Sequence, residues 1–311
     1  MRQQTTANIL MVRPANFGFN PETATSNAFQ SRDQRHSADE MREQAMLEFD
    51  RFVAILREAG VQVIVAEDKA VPVKPDAVFP NNWVSFHQEG YIVTYPMYAP
   101  VRRLERDEDI IKTVLSNGFK YKGERKDLER YESNNLFLEG TGSIIFDHQH
   151  RLAYACLSPR TDGQLLEELC RFMGYQKVIF HATDAHNQDI YHTNVMMALG
   201  ETFVVICMET IQDARERSLL VASFAETDKV MIEISLEQMN KFAGNMLQVR
   251  NDKDETMLVM SEQAYRALEA DQIKAIEAET KILYSDITTI ETYGGGSARC
   301  MMAEIFLPKE A

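Results

Sequence analysis

The sequence predicts an α/β fold, arranged as a pseudo-symmetric five-bladed α/β-propeller of ββαβ repeats around a central site, and three observations predict it. Two strands joined by a short polar turn, then a helix, then a further strand recur with a period of about 60 residues. One unit is assembled from both ends of the chain, as a closed ring requires, since closure leaves no repeat face exposed. No linker or shift in composition divides the 311 residues, so 1–311 is expected to be a single domain.

Asn8 to Val12 is an apolar run ending at Arg13-Pro14 and reads as a buried strand. Residues 16–35 include Phe17-Gly18-Phe19-Asn20-Pro21 and many polar side chains, a loop long enough to cover a cleft. Ser37 to Ala59 reads as a helix. The capping box Ser37-x-x-Glu40 opens it, Phe49, Phe52, Val53 and Leu56 mark its apolar face, and Gly60 stops it. The strand Val61 to Ala66 follows. In the second unit, Val78 to Phe86 and Tyr91 to Pro96 lead to a helix near 104–116. The third runs through Leu136 to Phe146, Arg151 to Leu157, a helix at 162–173 and Lys177 to His181. The fourth has Asn194 to Leu199, Thr202 to Met208, a helix at 211–224 and Val230 to Ile234. Met246 to Arg250, Thr256 to Met260, a helix at 262–269 and Lys281 to Tyr284 make another. Polar turns such as Gly200-Glu201 join the paired strands. Cys300 to Phe306 is expected to pair with Asn8 to Val12 and close the ring.

A net charge of −14 argues against nucleic acid or an anionic membrane as the main partner and leaves a small molecule. The four cysteines are irregularly spaced without C-x-x-C, which gives neither a zinc site nor a disulfide framework. No stretch reaches 18 uninterrupted apolar residues, so a reducing cytoplasm is the expected location; a homo-oligomer is compatible with all of this.

The chemistry concentrates near the C-terminus, in Tyr293-Gly294-Gly295-Gly296-Ser297-Ala298-Arg299-Cys300. Glycines permit a tight turn and close approach to the main chain, a setting for a nucleophile. Cys156, Cys170 and Cys207 lie inside apolar strands or a helix and read as small core hydrophobes. Other repeats bring Phe79-Pro80-Asn81-Asn82-Trp83, Leu138-Glu139-Gly140 and Tyr191-His192-Thr193-Asn194 to comparable positions. A carboxylate, an imidazole and a thiol therefore arrive from three separate repeats. His192 is placed to take the thiol proton or to protonate a leaving group, and Glu139 to orient the imidazole or accept from a substrate N–H. The spacing of His181 and His186 suits no common metal site.

The order Phe-Pro-Asn-Asn-Trp, Glu-Gly, His-x-Asn and Gly-Gly-Gly-x-x-Arg-Cys resembles the guanidino-group-modifying enzymes, the arginine deiminases, amidinotransferases and dimethylargininases of the pentein fold. It looks closest to the branch called citrulline utilization hydrolase. The resemblance implies Cys300 as the nucleophile on the central carbon of a guanidino or ureido group, His192 as general acid and base, and Glu139 as the carboxylate bonding the bound planar group. Pro100-Val101-Arg102-Arg103 and Ser158-Pro159-Arg160-Thr161 are similar to the deiminase stretches whose arginines, here Arg102 and Arg160, hold the substrate carboxylate. It implies no metal or organic cofactor.

Two departures bear on the substrate. The deiminases grip a guanidinium cation with aspartates at the positions of Asn82 and Asn194, and an unpaired buried carboxylate makes sense only opposite a cation. Asparagine offers an acceptor and two donors without charge, which favours a neutral ureido group such as that of citrulline. The alternative is an arginine deiminase, dihydrolase or amidinotransferase acting on a guanidino group.

Overall fold

The computed structural model describes residues 2–31, 37–123 and 125–309, and these form five three-stranded sheets. The chain opens with β1 (Asn8–Arg13), helix α1 (Ala38–Glu58) and β2 (Gln62–Glu67). The second blade holds β3 (Val84–Phe86), β4 (Ile92–Thr94), α2 (Glu108–Ser116) and β5 (Arg125–Asp127). Next come β6 (Ile145–Asp147), β7 (Leu152–Cys156), α3 (Gly163–Met173) and β8 (Gln176–Phe180). The fourth blade has β9 (Met197–Leu199), β10 (Phe203–Ile206), α4 (Ala214–Glu226) and β11 (Val230–Glu233). The fifth has β12 (Leu247–Arg250), β13 (Thr256–Ser261), α5 (Ala270–Glu279) and β14 (Lys281–Ser285), and the chain ends on β15 (Ala303–Glu304).

In four blades the first strand pairs antiparallel with the second and the second parallel with the third, across the helix. The remaining sheet repeats the pattern with strands from both termini. There β1 lies antiparallel to β15, through Ile9 opposite Glu304, and parallel to β2. The predicted closure of the ring therefore forms. The middle strands are the most apolar, as strands covered on both faces must be: β10 is buried throughout.

Several element boundaries differ from expectation, and they differ in one way. The first strands were expected to begin at Val78, Leu136, Asn194 and Cys300, but each starts later, after a helical turn: Pro80–Asn82, Gly140–Ser143, Thr193–Met196 and Ala298–Met301. These turns are fully buried, so their apolar residues extend the hydrophobic run without extending the strand. Helix α5 and strand β5 have no counterpart in the expected elements. The expected helix at 262–269 is a short turn, Glu262–Ala267, ahead of α5. A reciprocal cap between Glu269 and Gln272 starts α5 anew.

A further helix, Thr288–Gly294, leads into the glycine turn. Its first N–H groups are satisfied from α1, where Glu48 accepts from Thr289 N (2.9 Å) and Ile290 N (3.0 Å). At its other end Glu291 accepts from Ser297 Oγ (2.6 Å) and ties the turn back to the helix. Burial pushes the Glu291 carboxyl up to about 7, against the hydrogen bonds from Ser261 and Ser297. The folded chain thus holds a proton that an unfolded chain releases near pH 4.3, roughly the ordinary glutamate value. This contribution is present below that value and is lost as pH rises through about 7. Glu291→Gln is expected to be more stable than wild type at alkaline pH, by up to about 3 kcal/mol, with the advantage vanishing towards acid. Urea midpoints measured across that range test it; a pH-independent difference would refute the assignment.

Candidate active site

The buried helical turns aim their side chains at one end of the propeller axis. Asn82 ends Pro80–Asn82, Glu139 and His192 precede the turns Gly140–Ser143 and Thr193–Met196, and Cys300 lies within Ala298–Met301. Asn82, His192 and Cys300 line one cavity with Asp76, Phe79, Arg102, Arg160, Tyr191 and Gly294 to Gly296. Glu139 stands directly behind His192. The residues that the sequence distributes over four repeats therefore converge.

Glu139 has no solvent exposure. It accepts from His192 Nε2 (2.8 Å) and from Tyr98 N (2.8 Å), with Arg160 Nη1 at 3.6 Å. Burial alone would push this carboxyl up, but the Arg160 charge and the histidine bond outweigh it and bring it down to about 2. Burial also pushes His192 down to about 4, against the pull of Glu139, so the ring is neutral at pH 7. Its Nε2–H goes to Glu139, and Nδ1 is left to exchange protons. Gly142 makes room for that edge of the ring. A Cβ there would come within 2.4 Å of Asn82 Nδ2 and 2.7 Å of His192 Nδ1.

Cys300 Sγ accepts from Asn194 Nδ2 (3.4 Å) and from Asn245 Nδ2 (3.3 Å). The other cysteines sit in apolar surroundings that push Cys156 and Cys170 to about 12 and Cys207 to about 11, which makes them inert thiols. Arg299, beside Cys300 in sequence, turns away from it and is paired with Glu304 (2.8 Å).

Arg102 is buried, not on a charged surface. Glu105 grips it through two bonds, at Nε (2.8 Å) and Nη2 (2.9 Å), and Nη1 donates to Asn82 Oδ1 (2.8 Å). The acceptor that Asn82 offers is thus occupied by Arg102. Asn82 Nδ2 is left as a buried donor without a partner, and Asn194 Oδ1 as a buried acceptor without one. Arg160, stacked 4.8 Å over Tyr191, donates from Nη2 to Ser26 Oγ (2.6 Å) and Thr23 O (3.1 Å).

Those two oxygens belong to the long loop, which lies across the cavity. Asn20 and Thr23 bond Asp76 Oδ2, and Asn27 Nδ2 donates to Gly295 O (3.1 Å). Positions 32–35 of the loop fall outside the described residues. The space beneath it is about 20 Å³, little more than one water requires. On its outer side lies an open basin of about 820 Å³. Sequence reasoning missed Asp76, whose Oδ1 has no partner inside the cavity, and Asn245, whose position just before β12 repeats those of the other site residues. Among the described residues no cluster of three His, Cys, Asp or Glu could hold a metal ion, and no helix is long and apolar enough to cross a membrane.

No curated protein sequence matches the chain. Among solved structures, the apo form of ArgZ, an arginine dihydrolase from the ornithine-ammonia cycle in cyanobacteria, has a TM-score of 0.74 at 17% identity, covering 97% of this chain and 41% of that one. The chain thus spans well under half of full-length ArgZ. The ArgZ N-terminal domain bound covalently to a reaction intermediate gives 0.73 at 19% identity, covering 97% and 99%. An adduct of dimethylarginine dimethylaminohydrolase with S-methyl-L-thiocitrulline gives 0.66 at 14%, covering 97% and 100%. These likenesses establish the fold. Sequence establishes the family: residues 13–307 match N,N dimethylarginine dimethylhydrolase, eukaryotic, and the chain belongs to that family among the guanidino-group-modifying enzymes of the pentein fold.

Proposed function

We propose that the protein hydrolyses the ureido C–N bond of citrulline or a close analogue through a covalent Cys300 intermediate, giving ornithine, ammonia and carbon dioxide. The observation that carries this reading is the polarity of Asn82. With its carbonyl held by Arg102, it presents only N–H to the cavity, beside a guanidinium charge. A guanidinium substrate would bring more N–H groups and a positive charge to that wall. A ureido group brings an oxygen that accepts from Asn82 Nδ2, while an N–H group of it finds Asn194 Oδ1.

In this reading the Cys300 thiol passes its proton to His192 Nδ1, and the sulfur adds to the ureido carbon. The tetrahedral adduct collapses as His192 returns the proton to the departing nitrogen, leaving a carbamoyl thioester on Cys300. His192 then takes a proton from water, the hydroxide displaces the sulfur, and the carbamate released breaks down to carbon dioxide and amine. Glu139 stabilises the imidazolium that forms twice in the cycle. At the far end of the substrate, Asp76 Oδ1 is placed for an ammonium group. Arg160, by exchanging its bonds to Ser26 and Thr23, and the remaining N–H of Arg102 are placed for a carboxylate. The space beneath the loop is too small for an amino acid of this length, so in this reading binding requires the side chains of the described loop residues to give way.

A guanidino substrate is the second reading, supported by the family itself, by ArgZ being an arginine dihydrolase, and by the carboxylate of Asp76 lining the cavity. Ammonia release with citrulline and arginine in parallel, with ornithine and citrulline resolved by chromatography, separates the two. Ornithine from citrulline with arginine untouched is the expected result; turnover of arginine alone would reverse the assignment. Cys300→Ser is expected to lose turnover completely and keep its thermal midpoint, and residual wild-type activity would remove the nucleophile. Asn82→Asp places a carboxylate against Arg102 and the cavity. It is expected to shift kcat/KM from ureido towards guanidino substrates by about tenfold or more, and an unchanged ratio would rule out the polarity argument.

A further inference from the structure

Four of the five first strands are preceded by a turn that delivers a polar side chain to the axis: Asn82 before β3, Glu139 before β6, His192 before β9 and Cys300 before β15. The matching position before β12 belongs to Asn245, which is buried. We propose that Asn245 is a catalytic residue that holds the Cys300 sulfur as a thiolate by donating a hydrogen bond to it, an inference that rests on Cys300 being the nucleophile.

Two backbone groups fix which way the Asn245 amide points. Its Oδ1 accepts from Arg299 N (3.1 Å), and its Nδ2 donates one hydrogen to Asn194 O (2.8 Å). Turning the amide over would set carbonyl against carbonyl and N–H against N–H. The second Nδ2 hydrogen is thereby aimed at Cys300 Sγ, 3.3 Å away, while Oδ1 lies farther off at 3.6 Å and accepts from the sulfur only while the thiol is protonated. The approach is possible because residue 244 is glycine: a Cβ there would lie 2.4 Å from Val195 O and 2.9 Å from Met196 C. Asn194 Nδ2, at 3.4 Å, adds a second donor.

Donors aimed at a buried sulfur favour its charged form, and a pair of amides already held in place needs no rearrangement as charge develops. The titratable and charged groups lining the cavity with the sulfur are Asp76, Arg102, Arg160, Tyr191 and His192, with Glu139 behind the imidazole. Arg299 is directed to Glu304. No side chain among these bonds Asn245, whose partners are Asn194 O, Arg299 N and Cys300 Sγ. The Asn245 amide carries no charge, so ionisation of the sulfur gives up the longer S–H bond to Oδ1 and keeps the shorter N–H bond from Nδ2.

The test is the pH dependence of iodoacetamide alkylation at Cys300, mapped on the intact protein, for wild type, Asn245→Asp and Asn245→Ala. The aspartate keeps the shape and the acceptor for Arg299 N but loses the donor; the alanine loses both without adding charge. Both variants are expected to move the alkylation midpoint upward by about one unit and to slow labelling about tenfold on the acid side, with kcat falling in parallel. A midpoint that stays at the wild-type value in the alanine variant while kcat falls would mean that Asn245 only supports the turn, and would overturn the proposal. An inert Cys300 in wild type would instead remove the nucleophile assignment beneath it.

Discussion

Everything at the centre of this propeller depends on one buried negative charge. Glu139 is sealed from solvent, and a carboxylate there survives only because Arg160 and the His192 N–H face it. Its charge selects the histidine tautomer and so leaves Nδ1 without a hydrogen. It also holds Arg160, which holds the loop through Thr23 and Ser26. The state of the imidazole and the seating of the loop thus share a single anchor, and neither has to be specified separately by the chain.

Arg102 does comparable work on the opposite wall. With Glu105 neutralising it, the guanidinium acts as a fixed donor that orients Asn82, and the amide cannot turn over without breaking a buried charge-assisted bond. The polarity of that wall is therefore decided by an arginine standing behind the asparagine as much as by the asparagine itself. That an asparagine replaces the deiminase aspartate was visible in the sequence. Which of its two ends faces the cavity was not, because it depends on a contact between residues 20 positions apart.

The ring and the Cys, His and Glu set were legible because repeats impose a register, and glycine turns and strand starts mark it. What escaped the sequence lies where burial and local geometry part company. The turns before each first strand are buried on all sides, so their apolar composition reads as more strand. Asn245 follows an unremarkable Phe242-Ala243-Gly244, and only the backbone of Asn194 and the sulfur of Cys300, both distant in sequence, give it a purpose. Asp76 lies ahead of the motif that was recognised, and its free oxygen is apparent only once the loop is seen across it.

The strand that closes the ring also makes the cavity sensitive to a distant part of the sequence. Cys300 stands just before β15, and β15 is held against β1 through Ile9 opposite Glu304 and Leu10 opposite Ala303. The turn that carries the sulfur is therefore anchored by a pairing of high sequence separation. A substitution that weakens β1 would loosen that turn although it touches no residue lining the cavity.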